Sequence, residues 1–238
     1  MNLFFDNSDY FKYEKSISSR DGNIIKVFSL SNDLLDENIQ NTWASRLRDN
    51  YVEERLSKSL INGTGLTQQV FLQKYIFPNH EDKLGAATMT GEFGEILVCD
   101  YINFVLKHYV TRTRYLEKVN PNISVSGSDV IGYKVKHIDN PSKLDHLIVA
   151  EVKTRSSILG DKNKLCKTTV KNAIEDSIKD RVRIGESLNA EKRRLLNRSR
   201  FEDAKIVERF QNKTDTPFSL DFFAVAVLDS KLYSEQVI

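Results

Sequence analysis

Two apolar segments constrain the fold of this chain more than any other feature of its sequence. Residues 147–154 read LIVAEVKT and residues 220–228 read LDFFAVAVL. Short apolar runs of this kind are typical of buried strands. The first segment predicts the clearest strand of the chain. The second is apolar on both faces and predicts a buried central strand.

Helical periodicity and shorter β-type segments surround these two strands. An entry signal at 88–91, with Thr90 as the N-cap, predicts a helix over 92–109. Two β-type segments follow at 115–119 and 130–136. In the first of two charged helices that come next, apolar residues recur every four positions at Val170, Ile174, Ile178 and Val182. The order of helix, three strands, helices and strand predicts an α/β fold with a mixed sheet flanked by helices.

The first third of the chain has a different character. We expect residues 1–86 to form an N-terminal α+β extension and residues 87–238 to form the main domain. Alternating patterns on both sides of a turn at 21–23 favour a strand or hairpin. A helix is expected over 34–61, because apolar residues recur there every four positions. Nothing in this third indicates chemistry, and we treat it as a candidate partner-docking region.

Composition excludes several classes of protein. The chain has 238 residues, of which 40% are hydrophobic and 29% charged, as in a globular domain with a sizeable core. No apolar run approaches the roughly 18 residues that a membrane-spanning helix needs. The N-terminus lacks the basic region of a secretory signal, and two cysteines, Cys99 and Cys166, are too few for a disulfide framework. We therefore expect a cytoplasmic protein that does not enter a membrane.

The net charge of +2 hides an asymmetry along the chain. Residues 151–214 contain 17 Lys and Arg against 10 Asp and Glu, a local charge of +7, which leaves −5 for the rest. A basic region of this kind indicates a polyanionic partner such as nucleic acid. The alternative is an exposed helix surface that is rich in Lys and Arg for solubility.

Glu151 and Lys153 are unusual residues near the end of so apolar a strand. Side chains two positions apart leave a strand on the same face, so both charges lie on the side of Leu147 and Val149. Burying a carboxylate and an ammonium group costs several kcal/mol unless they pair or coordinate a ligand. The alternative is that the strand ends at Ala150 and that the two charges form its solvated tip.

Asp129 and two glutamates add carboxylates to this strand end. A hairpin that turns within 139–145 would bring Asp129 beside Glu151, and two converging carboxylates favour a cation such as Mg²⁺. On its own, Asp129 is more typical of a turn cap after Gly-Ser. Glu92 and Glu95 lie three positions apart on one helix face. Glu92 fits the acidic start of a helix, whereas Glu95 lies closer to the buried face and is the better site candidate.

The order of Glu95, Asp129 and Glu151-Val152-Lys153 resembles the PD-(D/E)xK nuclease superfamily. Its members carry a helix Glu, an Asp on one strand and a (D/E)xK tripeptide on the next, within an αβββαβ core. The resemblance covers about residues 88–228, lacks a Pro before Asp129 and leaves the first third unexplained. It implies a restriction-endonuclease-like core.

This resemblance also implies metal-dependent hydrolysis of phosphodiester bonds in DNA. Asp129 and Glu151 would bind Mg²⁺, or Mn²⁺ in its place, with the carbonyl of Val152 as a further ligand. Glu95 would complete this metal site or a second one. Lys153 would orient or activate the attacking water and stabilise the developing negative charge. The catalytic residues that the resemblance implies are Glu95, Asp129, Glu151 and Lys153.

A narrower resemblance connects the chain to one family. The segments GEFGEIL, GSDVIGY and AEVKT, in a small chain that ends in an apolar strand, are similar to the HamA-type nuclease subunit of Hachiman anti-phage systems. This resemblance implies bacterial defence against phage, with a superfamily 2 helicase as protein partner. Two alternatives stay open. One is a stand-alone Mrr-like restriction endonuclease, and the other is a catalytically silent subunit that binds nucleic acid or docks on a partner.

The basic region suits contacts with the DNA backbone, which depend on salt and not on base sequence. Thr154 and Arg155 directly follow the candidate motif and are the nearest candidates. The further expected DNA contacts are Lys162, Lys164, Lys167, Arg193, Arg194 and Arg198. A solvated helix face, or a docking surface for an acidic partner, is the alternative interpretation of these residues.

Overall fold

A computed structural model describes residues 10–19, 21–31 and 36–238 of the chain. In these ranges the protein has a mixed α/β fold, with a two-stranded hairpin and a three-stranded mixed sheet that is flanked by helices. The prediction of a mixed sheet flanked by helices is confirmed. Among the described residues, no helix combines the length and the apolar character that crossing a lipid bilayer requires. Cys99 and Cys166 are buried free thiols.

A β-hairpin opens the described part of the chain. Strand β1 (Phe11–Ser18) pairs antiparallel with strand β2 (Ile24–Leu30). Gly22 lies in the turn with a φ of 78°, a left-handed conformation that glycine adopts without steric cost. The hairpin predicted around 21–23 is confirmed.

Two helices follow where the periodicity predicted one. Helix α1 covers Glu37–Asp49 and helix α2 covers Glu54–Ile61, so the prediction of one continuous helix over 34–61 is wrong. Its predicted start lies outside the described ranges. Asn50 ends α1, and its side-chain amide donates to the carbonyl of Arg46 at 2.8 Å. This bond satisfies one of the carbonyls that the end of a helix leaves free.

The helix predicted over 92–109 begins earlier in the structure. Four helical elements follow α2: α3 at Gln68–Phe71, a π-helical turn at Leu72–Ile76, α4 at Lys83–Asp100 and a second π-helical turn at Tyr101–Val105. The carboxylate of Asp82 caps α4 by accepting two backbone N–H groups, and Thr90 lies inside the helix, where its hydroxyl donates to the carbonyl of Ala86. The predicted N-cap at Thr90 and the helical extent of 92–109 are therefore wrong. The predicted domain division after residue 86 falls inside α4.

The three-stranded sheet carries the candidate site. Its strands, in spatial order, are β3 (Val130–Lys134), β4 (His146–Arg155) and β5 (Ser219–Leu228). Strand β3 runs antiparallel to β4, and β5 runs parallel to β4. Residues 115–119 form turns, so the strand predicted there is wrong. On the edge of β3 that faces away from β4, Tyr133 forms an isolated bridge with Tyr109.

Strand β5 is an edge strand of the described sheet, so its predicted central position is wrong and β4 is central instead. The strand is apolar because both of its faces are covered by apolar layers. Its outer edge is nevertheless unpaired within the described sheet. Phe222 packs with one layer of the core, while Phe223 and Val225 pack with the other. An apolar strand therefore indicates cover on both faces, and it does not indicate pairing on both edges.

One long helix dominates the second half of the chain. Helix α5 (Lys162–Asn197) has 36 residues, which corresponds to about 54 Å at about 1.5 Å per residue. Helix α6 (Phe201–Glu208) follows a break at Ser199, where φ is 55°. The apolar stripe of α5 is turned away from the sheet, and its exposed members are Ile174, Ile178 and Val182.

Two apolar layers hold the helices against β4. Leu147 and Val149 pack with residues of α5 and α6, among them Leu188. Ile148 points to the opposite face and packs with residues of α4 and the turn that follows it, among them Val98. Because side chains alternate along a strand, Glu151 and Lys153 lie on the face that α5 covers.

Candidate active site

Strand register places Asp129 opposite Glu151. Val130 pairs with Ala150 in the antiparallel ladder of β3 and β4, so the residue before Val130 faces the residue after Ala150. One carboxylate oxygen of Asp129, Oδ2, accepts the backbone N–H of Val152 at 2.9 Å. The hairpin between β3 and β4 therefore brings together the two carboxylates that the sequence singled out.

Lys153 lies between two carboxylates from different elements. Its ammonium nitrogen is 2.6 Å from Oε1 of Glu151 and 2.8 Å from Oδ2 of Asp176 on α5. Burial alone would lower the pKa of Lys153, but its bonds to Asp176 and Glu151 outweigh burial and raise it. The same contact, together with Lys179, lowers the pKa of Asp176 to about 2. Both groups are therefore charged at neutral pH.

Helix α5 supplies further site residues that the sequence reasoning missed. Arg183 donates from Nη2 to Oε2 of Glu151 at 2.9 Å and from Nε to Oδ1 of Asp180 at 2.7 Å. Asp180 is fully buried and also accepts from the hydroxyl of Ser128, but its second oxygen has no hydrogen-bond partner among the described residues. Asp176, Asp180 and Arg183 follow the helical spacing i, i+4, i+7. This spacing of polar residues is the sequence signal that would have predicted them as site residues.

Glu95 reaches the site through Arg114. The guanidinium group of Arg114 lies 3.0 Å from Oδ1 of Asp129 and 2.9 Å from Oε2 of Glu95, so it bridges α4 and the start of β3. Glu95 also accepts the hydroxyl of Tyr115. Glu92 instead accepts from the hydroxyl of Tyr51 and the ammonium group of a buried lysine, so it ties the N-terminal part to the core.

Burial and mutual repulsion raise the pKa values of the clustered carboxyl groups. Burial, followed by the negative charge of Glu95, raises the pKa of Asp129 to about 7. Burial and then the charge of Asp129 raise the pKa of Glu151. Burial also raises the pKa of Glu95. A carboxyl group that titrates near neutral pH can accept and release a proton under physiological conditions.

Carboxylate oxygens such as those of this cluster are typical ligands of hard divalent cations. In the structure, however, these oxygens already accept hydrogen bonds from other groups. Both oxygens of Glu151 accept from cationic side chains, and both oxygens of Asp129 accept from N–H groups. In the part of the chain that the structure describes, no three His, Cys, Asp or Glu residues are grouped so that they could hold a metal ion. The residues in this arrangement therefore do not form a metal site.

Close packing of α4 on β4 fixes the position of Glu95. A Cβ atom at Gly94 would lie 1.9 Å from Oγ1 of Thr154, so only glycine lets the two elements approach this closely. The hydroxyl of Thr154 is buried and has no hydrogen-bond partner in the described structure. Val152, whose carbonyl was expected to be a ligand, directs its side chain into the apolar layer on the α4 side.

The residues expected to contact DNA lie far apart on the surface. Lys162, Lys164 and Lys167 are exposed at the first turns of α5, and Arg193 is exposed about 30 residues later, roughly 45 Å away along the helix axis. Lys167 precedes Asp176 by nine positions, which is two and a half turns, so the two side chains leave α5 on opposite sides.

Two of the expected DNA contacts have structural partners. Arg194 is half-buried and donates to the hydroxyl of Thr113 at 3.3 Å. Arg198 donates to the carbonyl of Leu116 at 3.0 Å and is also half-buried. Arg155 lies half-exposed at the last residue of β4, beside the candidate site. The structure thus brings Arg155 close to the motif and does not gather the other basic residues into one patch.

Comparison with known protein families matches the HamA family over residues 4–238. The match spans essentially the whole chain, so it also includes the N-terminal third that the motif resemblance left unexplained. Searches of curated proteins and of solved structures found no match.

Proposed function

The chain belongs to the HamA family, the nuclease-type subunit of Hachiman anti-phage defence systems, and we propose that it hydrolyses phosphodiester bonds in DNA. The proposed catalytic residues are Asp129, Glu151 and Lys153, with Glu95 linked to them through Arg114. The proposed core is that of the PD-(D/E)xK nucleases. Membership of the HamA family supplies the biological setting, and the geometry of the strand end supports the chemistry.

The observation that carries the proposal is the position of Lys153. Lys153 follows Glu151 by two residues on the same face of the central strand β4. The register of β3 and β4 places Asp129 opposite Glu151. The side chain of Lys153 is 31% exposed, whereas that of Glu151 is 4% exposed. The ammonium group therefore stands between the buried carboxylates and the solvent from which a DNA strand would approach.

Each side chain has a role that its contacts support. An ammonium group has three N–H donors, and the structure engages two of them with Glu151 and Asp176, which leaves one for a phosphate oxygen or a water molecule. The raised pKa of Lys153 keeps its positive charge available to a developing negative charge. Asp129, with a pKa of about 7, can take a proton from water near neutral pH.

We propose Mg²⁺, or Mn²⁺ in its place, as the cofactor. Such an ion lowers the pKa of a bound water and neutralises charge on a phosphate when it is bound. Binding requires the cationic side chains to release carboxylate oxygens, because Arg183 and Lys153 occupy both oxygens of Glu151. The proposal therefore includes a rearrangement of Arg183 before a metal ion can bind.

The proposed partners are DNA and a superfamily 2 helicase that belongs to the same defence system, and the proposed location is the cytoplasm. Arg155, Lys162, Lys164, Lys167 and Arg193 are exposed or half-exposed and supply the proposed contacts with DNA phosphates. A second candidate function has one observation in its favour. Because cations occupy the carboxylates, a catalytically silent subunit that docks on a partner also fits the site.

Nuclease activity of the purified chain tests the proposal. Linear duplex, circular duplex and single-stranded DNA are incubated with Mg²⁺ or EDTA, with the chain alone and with its helicase partner. The variants are Lys153→Ala, the double variant Glu151→Ala/Lys153→Ala, and Lys171→Ala as a matched control. Lys171 is an exposed lysine of α5 that pairs only with Glu175 in the described structure.

We expect metal-dependent cleavage by the wild type and by Lys171→Ala, and none by Lys153→Ala. The fold of Lys153→Ala should persist, because Arg183 still neutralises Glu151 and Lys179 still neutralises Asp176. Wild-type cleavage by a folded Lys153→Ala variant would disprove the catalytic assignment. DNA binding without cleavage under every condition would favour the silent subunit. Cleavage without the helicase at a fixed recognition sequence would favour a stand-alone restriction endonuclease.

A further inference from the structure

A cavity of about 330 Å³ opens beside Asp129. Its walls come from segment 110–115, segment 126–131 and the face of α5 between Arg183 and Arg194. The volume falls at the lower end of the roughly 300–1,000 Å³ that small-molecule sites occupy, and it equals about ten water molecules at about 30 Å³ each. The cavity is therefore large enough for a small organic ligand and much larger than a single ion.

One cation in the cavity wall makes no ion pair among the described residues. Four arginines line the cavity, namely Arg112, Arg114, Arg183 and Arg194, together with the acids Asp129, Glu186 and Glu191. Arg112, Arg114 and Arg183 are already paired with acids, whereas Arg194 is not. Both oxygens of Glu191 accept hydroxyl groups, from Thr111 and Tyr133, and burial raises its pKa, which favours the neutral acid. The positive charge of Arg194 is therefore available to an anionic ligand.

Two of the arginines that line the cavity have unused N–H groups. Arg194 uses only Nε, which donates to Thr113, so neither of its terminal nitrogens has a hydrogen-bond partner among the described residues. Arg183 uses Nε and Nη2, so its Nη1 is unpaired in the same part of the structure. A half-buried guanidinium group with free N–H donors is well suited to a phosphate, which accepts two parallel hydrogen bonds from it.

The rest of the lining combines Ser, Thr and Asn side chains with an apolar wall. Val110, Val130 and Ile131 are buried core residues that line the cavity, and Ala190 lines it from the side of α5. A ligand that satisfies both kinds of wall carries a phosphate group and a flat, weakly polar portion in one molecule. A nucleotide has this combination, whereas an inorganic phosphate lacks the flat portion and a nucleoside lacks the charge.

We infer that this cavity is a binding site for a single nucleotide of a DNA strand, next to the bond cleaved at Asp129, Glu151 and Lys153. The inference rests on the proposed function and adds a substrate form to it. A cavity of this size holds one nucleotide and excludes a base pair. The bound nucleotide has to leave the duplex stack, which costs a few kcal/mol in paired DNA and least at ends or in single strands. Strand ends and single-stranded DNA are therefore the preferred substrates.

Binding of deoxyadenosine monophosphate to the purified full-length chain tests the inference without requiring cleavage. Isothermal titration calorimetry compares this nucleotide with deoxyadenosine and with inorganic phosphate. The variant Arg194→Gln removes the charge with free donors, and Lys171→Gln is the matched control on the same helix, because Lys171 is exposed and does not line the cavity. Circular dichroism and thermal melting establish that each variant is folded. A second variant, Ala190→Leu, fills the cavity and leaves every charge in place.

We expect the wild type and Lys171→Gln to bind the nucleotide at least tenfold more tightly than either fragment. Arg194→Gln and Ala190→Leu should each weaken nucleotide binding at least tenfold. Unchanged binding in both of these variants, equal binding of inorganic phosphate, or no binding at all would overturn the inference. The outcome is separate from that of the nuclease assay. Cleavage without nucleotide binding removes the site but keeps the function, and nucleotide binding without cleavage keeps the site but removes the function.

Discussion

Arg183 neutralises two buried carboxylates at once, so its replacement by alanine should destabilise the fold strongly. The side chain of Asp180 is 1% exposed and that of Glu151 is 4% exposed. Removing one partner of a buried ion pair costs about 3–5 kcal/mol of unfolding free energy, because the other charge stays buried without compensation. Glu151 keeps its contact with Lys153, whereas the one partner left to Asp180 among the described residues is the hydroxyl of Ser128. Most of the cost therefore arises at Asp180.

The lower end of that range is the expected value for Arg183→Ala. The Arg183 side chain is 33% exposed, so water can enter the space that the truncation leaves and hydrate the carboxylates in part. We expect the unfolding free energy to fall by about 3 kcal/mol. Arg193→Ala on the same helix is the control and should change it by less than about 0.5 kcal/mol, because Arg193 is exposed.

Urea unfolding followed by circular dichroism measures these changes, provided that the slope against urea stays constant. A double-mutant cycle with Asp180→Asn isolates the contact between the two residues. A neutral amide does not need a cation, so Arg183→Ala should cost about 2 kcal/mol less in the Asp180→Asn background. A cost below about 1 kcal/mol for Arg183→Ala, or an absence of coupling in the cycle, would refute the reasoning.

The same variant also tests the access of metal ions to the site. Arg183→Ala frees Oε2 of Glu151, so we expect the folded variant to bind Mn²⁺ more tightly than the wild type does. Calorimetric titration with Mn²⁺ measures the difference in affinity, and Arg193→Ala serves again as the control. Equal affinity in the wild type and in Arg183→Ala would show that Arg183 does not limit metal binding.

Three further predictions concern single contacts. Arg209 donates from Nε to fully buried Asp145, and its Nη2 lies 2.6 Å from the same carboxylate oxygen. Arg209→Ala should therefore lower the unfolding free energy in urea by about 3–5 kcal/mol, and a change below about 1 kcal/mol would contradict this prediction. Burial raises the pKa of Asp129 from 3.8 to about 7, so the ionised form is disfavoured in the folded state. The unfolding free energy of the wild type should therefore fall relative to that of Asp129→Asn as the pH rises from 4 to 7. Melting temperatures of the two proteins that change in parallel over this pH range would count against the prediction. Gly94→Ala places a Cβ atom 1.9 Å from Oγ1 of Thr154. This contact should destabilise the protein by about 1–3 kcal/mol, although alanine has a higher helix propensity than glycine. Adding Thr154→Ala should recover most of the lost stability.

The strands were the part of the fold that the sequence predicted best. Apolar runs predicted the ends of β4 and β5 to within one or two residues. A strand that is covered on both faces is a short, nearly continuous apolar run, and few other structures have such a sequence. The same runs could not show strand order, since side chains report the faces of a sheet and not its edges. Helix ends were predicted less well. The start of α4 depends on the side chain of Asp82, and small residues such as Ala86 carry no periodic signal.

The site was predictable where it depends on strand geometry. Register alone places Asp129 opposite Glu151, and two-residue spacing places Lys153 on the same face. The residues of α5 were missed because periodicity gives the spacing of a stripe but not the direction that it faces. The apolar stripe that includes Ile178 was the obvious candidate for the buried side, and it is exposed. The polar stripe turned inward instead, because the charges of β4 need partners and only polar side chains can supply them.

The balance of charge at this strand end indicates that the arrangement does not serve stability alone. Buried ion pairs contribute little net stability, because their attraction mostly repays the cost of removing the charges from water. The buried or half-buried acids are Glu95, Asp129, Glu151, Asp176 and Asp180, and the cations that contact them are Arg114, Lys153, Lys179 and Arg183. Five acids face four cations, so one negative charge is unbalanced. Burial and the charge of Glu95 raise the pKa of Asp129 to about 7, so a proton on Asp129 relieves this excess below neutral pH. The proposed divalent cation would relieve the same excess, whereas a structural network of matched pairs would have no excess to relieve.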